Sequence, residues 1–310
     1  MAAFDVSIVI VSYNTEELLR KCLDSIMRFT KGVSYEVIVV DNASTDKSVE
    51  EIRNSKHEIR NLRIIQNNKN LGFGRANNQG MKVAKGGYIA LLNSDTELFE
   101  DSLSKMVSFM DSHTDVGMAT CRLLNKDRSI QANGGCKPTL FRLFVWATFI
   151  DDVGFLRSIL GSYHNQAVNR EHEQGWVSGA FMMLRREVLE KVTGFDENFF
   201  MYGEDVEFCL RVNKGGWKIF CTPITSIVHL GSGSSSGDIV HFRGGALGKE
   251  RSILGEFEGL KKIYKKYYPS WQYPLLILIL KMAAILRFLI FGIVLSQRGA
   301  RNIYAKAFIR

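Results

Sequence analysis

Between residues 6 and 124 the chain alternates β-branched apolar runs with stretches whose apolar residues recur every three or four positions. Val6 to Val11 is almost continuously apolar, as expected for a strand covered on both faces. Leu18, Leu19, Cys22, Leu23 and Ile26 then follow a helical period, with Asn14 as predicted N-cap and Glu17 in the capping-box position. Glu36–Val40 predicts a second strand ending at Asp41, followed by a short helix after Asp46. Leu62–Ile65 predicts a third strand, and a helix is expected over 74–85. Gly86-Gly87 turns the chain into a strand at Tyr88–Leu92, and Val116–Leu124 predicts another. Such alternation implies right-handed crossovers and a mostly parallel α/β sheet flanked by helices. Past Leu124 the pattern fades, and 125–175 is expected to be rich in loops. A second block from Gly175 to Val228 holds the apolar run Ala180–Leu184, a helix after Arg186 and a strand at Trp217–Phe220. Gly231 to Gly237 is a Ser/Gly run expected to be flexible. The expected division is 1–124, 125–242 and 243–310.

The last part has a pattern of its own. Phe257, Leu260, Tyr264 and Tyr267/Tyr268 fall on one helical face beside Lys261, Lys262, Lys265 and Lys266, a basic amphipathic helix suited to an anionic membrane surface. Pro274 introduces Leu275–Leu295, long enough to cross a bilayer but interrupted by Lys281 and Arg287. Each cation would cost roughly 2.5–3.5 kcal/mol at mid-membrane. Lying about 120° apart around a helix, they cannot share one narrow polar stripe. The expectation is a helical, membrane-associating tail of the monotopic or re-entrant kind. A core helix or the seam of a homo-oligomer is the alternative.

Composition narrows the choice further. The 310 residues are 46% apolar and 23% charged, which excludes a disordered chain. The net charge of +8 is concentrated: from Arg243 onward there are thirteen Lys/Arg against three acids, so the body is nearly neutral. That distribution favours an anionic surface met by the tail over a nucleic-acid groove in the core. Five cysteines without a C-x-x-C pair read as buried small hydrophobes of a reducing compartment, not as a zinc site or disulfides. A strand begins almost at the first residue, so no signal peptide is expected and the cytoplasm is the expected location.

Several polar clusters sit where such a sheet binds ligands. Asn93-Ser94-Asp95 follows the Tyr88 strand directly; a carboxylate there can hold a divalent cation that bridges to phosphate, or merely cap the next helix. Asp41, at the end of the second strand, can accept an N–H from a ligand, or simply belong to a strand-to-helix turn. Asn70 to Asn78 contains Gly72, Gly74 and Arg75 at the start of a helix, a place that favours anions. It departs from G-x-G-x-x-G because Asn77 stands in the third glycine position, which disfavours a nicotinamide or flavin site. Glu204-Asp205 opens a predicted helix and offers either dipole-stabilised acids or a general base. His229 ends an apolar stretch, where it is either structural or a metal ligand.

Taken together these segments resemble family 2 glycosyltransferases of the GT-A fold, closest to bacterial rhamnosyltransferase-like members. The likeness runs from about Val6 to Gly233. It rests on Val-Ser-Tyr-Asn, Val-Val-Asp-Asn-Ala-Ser-Thr-Asp, Asn-Leu-Gly-Phe-Gly-Arg-Ala-Asn-Asn, Leu-Leu-Asn-Ser-Asp, Gly-Phe-Asp-Glu-x-Phe-Phe-Met-Tyr-Gly-Glu-Asp-Val-Glu-Phe and Val-His-Leu-Gly-Ser. The resemblance implies that Asp41 contacts the nucleotide base, with the turn Ser12 to Asn14 nearby. It implies donor contacts at Gly72, Arg75, Asn93 and Asp95, with Asp95 and His229 binding Mg2+ or Mn2+. Asp205 would be the catalytic base, and Glu204, Trp176 and Gly179 would shape the acceptor site. Asn93 departs from the family's D-x-D and removes one charge. The implied reaction is inverting transfer from dTDP-rhamnose or a UDP-sugar to a saccharide or lipid-linked saccharide in cell-envelope polysaccharide synthesis. The enzyme would be attached to the inner face of the membrane and would need no nucleic acid. Sugar-1-phosphate nucleotidyltransferases resemble the chain less, since their Gly-rich loop follows the first strand. A polyprenyl-phosphate sugar transferase, or a non-catalytic nucleotide-sugar-binding membrane protein, stays open at this point.

Overall fold

The computed structural model describes residues 2–55, 59–164, 169–231, 239–242 and 245–309. They fall into two compact units. The first comprises 1–134, 165–200 and 204–234; the second comprises 135–164, 201–203 and 235–310.

In the first unit the strands are β1 (Phe4–Ser12), β2 (Tyr35–Asp41), β3 (Leu62–Gln66), β4 (Gly86–Asn93), β5 (Thr96–Glu97) and β6 (Val116–Leu124). Two later strands, β7 (Phe181–Arg185) and β8 (Lys218–His229), join a sheet whose main path runs β3-β2-β1-β4-β7-β6-β8-β5, with the short segments Ile130–Gln131 and His172–Glu173 paired beside it. β1 pairs in parallel with β2 and β4, and β2 with β3. β7 inserts antiparallel between β4 and β6, and β8 runs parallel to β6. The sheet is therefore parallel on one side and mixed on the other, as the alternating pattern predicts. β8 is much longer than the expected Trp217–Phe220, and the extension is what carries His229 to the sheet's edge.

The helices between the first strands are α1 (Glu16–Phe29), α2 (Ser48–Ser55), α3 (Phe73–Val83) and α4 (Ser102–Ser112). Leu19, Cys22, Leu23 and Ile26 of α1 pack with Val6, Ile8 and Ile10 of β1 in one core cluster, which α4 joins through Leu103, Met106 and Met110. Asn14 is not the N-cap of α1. It takes a left-handed turn (φ 53°), Thr15 occupies the cap position, and the cap donors are satisfied from elsewhere. Thr15 N–H donates to Ser48 Oγ (3.1 Å) and Glu16 N–H to Asp46 Oδ2 (3.1 Å). A capping box inside one helix gives way to acceptors contributed by the next loop.

The second unit opens with α5 (Leu140–Ala147) and α6 (Gly154–Leu160), helices lying where loops were expected. Beyond them the chain returns to the first unit for α7 (Arg186–Val192) and α8 (Glu204–Lys214). The second unit then resumes with α9 (Glu250–Tyr267), α10 (Gln272–Arg287) continued by a π-helical turn to Val294, and α11 (Arg298–Ile309). The apolar face of α9 is spent within this unit: Phe257, Leu260 and Tyr264 are buried, and Tyr264 donates to Pro138 O at 2.8 Å. That corrects the expectation that this face meets a membrane.

His164 Nε2 lies 2.6 Å from Glu256 Oε1 in the same unit. Burial opposes the imidazolium, yet the charge of Glu256 and its hydrogen bond outweigh burial and raise the His164 pKa. A raised folded pKa stabilises below the ordinary histidine value of about 6.5, and the gain is lost as pH climbs through the folded value. The unfolding midpoint should therefore fall by a few degrees between pH about 6 and 8. In His164→Gln the midpoint should stay flat over that range, as followed by circular dichroism.

Candidate active site

The carboxyl ends of β1 and β2 are register partners at Ser12 and Asp41, so the loops that follow them are neighbours. Those loops are stitched together: Asn14 N–H donates to Ser44 Oγ (2.9 Å) and Thr45 N–H to Asn14 Oδ1 (2.7 Å). Ser12 is buried, its hydroxyl 3.0 Å from that of Thr15, so its role is internal to the turn. Asp41 is fully buried. Its Oδ2 accepts from Ser44 N–H (3.1 Å), whereas Oδ1 has no hydrogen-bond partner. An unpaired buried carboxylate oxygen is costly unless a ligand donor reaches it.

Asn42, which the sequence reading passed over, joins this pocket to the glycine segment. Its Oδ1 accepts from Leu71 N–H (3.0 Å) and its Nδ2 donates to Gly72 O (3.3 Å). Gly72 has φ +86°, and a Cβ there would lie 2.4 Å from Phe200 O. Only glycine lets this loop pass so close to the Phe200 backbone, to which Phe73 N–H donates at 3.0 Å. Arg75, in the first turn of α3, is half-exposed and paired with Glu197 at 3.3 Å.

At the end of β4 the chain turns back, with Thr96 Oγ1 donating to Asn93 O (2.7 Å). The short β5 then pairs antiparallel with β8, Thr96 opposite His229 and Glu97 opposite Val228. This pairing brings His229 Nε2 to 3.3 Å from Asp95 Oδ1 and 3.4 Å from Asn93 Nδ2. Gln131, also unforeseen, aims the ring. Its Nε2 donates to Asn125 Oδ1 (2.9 Å) and to His229 O (3.2 Å), which leaves Oε1 2.6 Å from His229 Nδ1. Nδ1 then donates to Gln131, which turns Nε2 toward Asp95 Oδ1 and Asn93 Nδ2. A ring nitrogen and a carboxylate oxygen 3.3 Å apart are spaced to contact one cation together. Mg2+ or Mn2+ suits this donor set. Among the described residues no group of three or more His, Cys, Asp or Glu is placed to hold a metal, so further ligands would be substrate oxygens and water.

Asp205 lies in the first turn of α8. Its Oδ1 accepts from Val206 N–H (2.8 Å), and its Oδ2 lies 3.5 Å from Gly179 N. The next residue, Ala180, accepts from Asn93 N–H through its carbonyl (3.0 Å). The backbone at 179–180 thus bridges the base candidate to the end of β4 that carries Asn93 and Asp95. Glu204 is buried. Glu207, one turn on, is fully buried and bound by Arg211 Nε (2.9 and 3.1 Å), which makes it structural. Trp176 is buried, and Val177 N–H donates to Cys209 Sγ (3.4 Å), fixing this segment to α8. The Ser/Gly run after Gly231, expected from the sequence to be flexible, lies outside the described residues.

Residues 7–193 match the family model described as Glycosyl transferase family 2. The chain is 30% identical over 238 residues to the O-antigen biosynthesis protein RfbC of Myxococcus xanthus, covering 76% of this chain and 18% of that protein. It thus spans less than a fifth of that relative. It is 25% identical over 244 residues to the N-acetylglucosaminyl-diphospho-decaprenol L-rhamnosyltransferase of Mycobacterium tuberculosis, with 72% of this chain and 75% of that one covered. Among solved structures it is similar to the mannosyltransferase PcManGT from Pyrobaculum calidifontis in complex with GDP-Man and Mn2+, with a TM-score of 0.58 at 18% identity over 98% of this chain and 79% of that one. The matched family segment takes in β1 through β7 with Asp41 and Asp95, and the architecture is that of the GT-A fold. The chain belongs to glycosyl transferase family 2 and is a glycosyltransferase.

Proposed function

We propose that this enzyme transfers a sugar, rhamnose first among the candidates, from a nucleoside diphosphate donor to a hydroxyl of a saccharide or lipid-linked saccharide, with inversion. The observation that carries the proposal is the facing pair Asp95–His229, joined through Asn93, Ala180 and Gly179 to Asp205. Two relatives named for O-antigen biosynthesis and rhamnosyl transfer favour a role in cell-envelope polysaccharide synthesis with dTDP-rhamnose, ahead of a UDP-sugar.

In this reading Asp41 Oδ1 accepts an N–H of the pyrimidine base, the donor that its buried position calls for. A divalent ion held by Asp95 and His229 neutralises charge on the diphosphate when bound. Asn93 offers an amide beside it, and Arg75 reaches the diphosphate once it leaves Glu197. The acceptor oxygen attacks the anomeric carbon, the bond from that carbon to the diphosphate breaks, and Asp205 takes the acceptor's proton. With a single base and direct attack on the anomeric carbon, configuration inverts. Glu204, Trp176 and Gly179 frame the acceptor. We place the enzyme in the cytoplasm, attached peripherally to the membrane's inner face.

The test is a thermal-shift panel of dTDP-rhamnose, UDP-glucose, UDP-galactose and GDP-mannose with and without Mg2+ or Mn2+. A ligand that binds only the folded state raises the midpoint by mass action. A shift by one donor that depends on the divalent ion is expected, and no shift by any of them would defeat the proposal. Asp41→Ala should weaken dTDP or UDP binding by about 10–100-fold, the worth of a hydrogen bond to a charged group. Calorimetric titration checks this, and turnover at saturating donor should change far less.

A further inference from the structure

Among the described residues the second unit carries a set of exposed apolar side chains. α10 turns residues such as Leu280 and Ala284 inward and leaves Leu275, Leu278, Ile285, Leu289 and Ile293 outside, with Leu278 66% exposed. A helix with a solvated outer face carries polar residues there. This row is apolar except for Lys281. Two shorter helices repeat the feature: α5 exposes Phe141 and Phe144, and α6 exposes Phe155 (69%) and Ile159 (70%). α10 packs directly against α5. Exposed apolar surface of this extent marks an interaction site.

Charge selects the occupant. Arg287, costly in lipid, is withdrawn from the outer row. Its guanidinium donates to Trp146 O and Ala147 O at the end of α5, both at 3.1 Å, and stacks over the rings of Trp146 and Phe149. Lys281 has a long stem with which to reach the surface. The acids of α9 are engaged, Glu256 by His164, Glu258 by Lys261 and Glu250 by Lys306. Lys262, Lys265 and Lys266 are exposed. A second copy of this chain would bring like charges together, whereas an anionic bilayer matches both the apolar rows and the cations. α10 is moreover backed by α9 and α11, so lipid can meet it from one side only.

We propose that α5, α6 and the outer row of α10 enter the interface of an anionic bilayer together, making the second unit a one-sided membrane-docking surface built from mid-chain and C-terminal helices. This rests on the membrane attachment proposed above and extends it to residues 141–159, well before the basic tail. The test is flotation of the full chain with vesicles of phosphatidylcholine alone or mixed with phosphatidylglycerol. Wild type should float with the anionic vesicles, less so as salt rises. The exposed-site variants Phe155→Ser/Ile159→Ser and Leu278→Ser/Ile285→Ser should each cut the bound fraction about tenfold or more. Their circular dichroism and their hydrolysis of the donor in detergent should stay unchanged. If Phe155→Ser/Ile159→Ser floats like wild type, the mid-chain helices are not in the lipid and the proposal fails. It also fails if wild type ignores vesicles and is instead a dimer that these variants dissociate. Wild type that floats normally yet turns over none of the candidate nucleotide sugars would sink the proposed donor assignment and uphold this one.

Discussion

Asp205→Asn should lower kcat for sugar transfer by about 10²–10⁴-fold, the usual worth of a positioned general base. The substitution keeps shape and leaves an amide oxygen able to accept from Val206 N–H, so the helix start should survive. What it removes is the capacity to take up a proton. Donor affinity should not change, because no donor contact is assigned to Asp205; a thermal shift by the nucleotide sugar equal to that of wild type checks this. Single-turnover measurement separates the chemical step from product release. Transfer at the wild-type rate would move the base elsewhere, with the buried neighbour Glu204 the first place to look. Glu207 is not an alternative, since its carboxylate is committed to Arg211.

Asp95→Ala should be of similar size and different in kind. Charge stabilisation by a bound divalent ion is worth several kcal/mol, so a loss on the order of 10³-fold in kcat/KM is expected. Here the donor should bind more weakly too, and the divalent-ion dependence of its thermal shift should disappear. His229→Ala should reproduce the pattern, and the double variant should be little worse than either single one, because both side chains act on one cation. A double variant whose losses multiply would mean that Asp95 and His229 serve separate functions. Their 3.3 Å separation makes the shared role the expected one.

Much of the first unit was legible along the chain. β-branched runs report strands buried on both faces, and the observed β1, β2, β3, β4 and β6 lie within two residues of the expected ones at each end. The acids at the ends of those runs had to lie along one edge of a parallel sheet, which is why Asp41 and Asp95 could be singled out. Periodicity, however, reports only that a residue is apolar and not what covers it. The α9 face whose pattern suits lipid closes the core of its own unit, and the outer row of α10 is left exposed instead. Asn14 has the composition of a cap, yet it serves a turn held by Thr45.

The amino-acid sequence by itself determined the α/β architecture, the family and the residue types at the strand ends, because those follow from local periodicity and short motifs. Tertiary structure alone decided which distant groups meet. The β5–β8 pairing sets His229 against Asp95, Gln131 orients its ring, and Arg287 is drawn inward to the end of α5. Such contacts join residues about a hundred or more positions apart. They depend on the packing of whole elements, which no local pattern of hydrophobicity records.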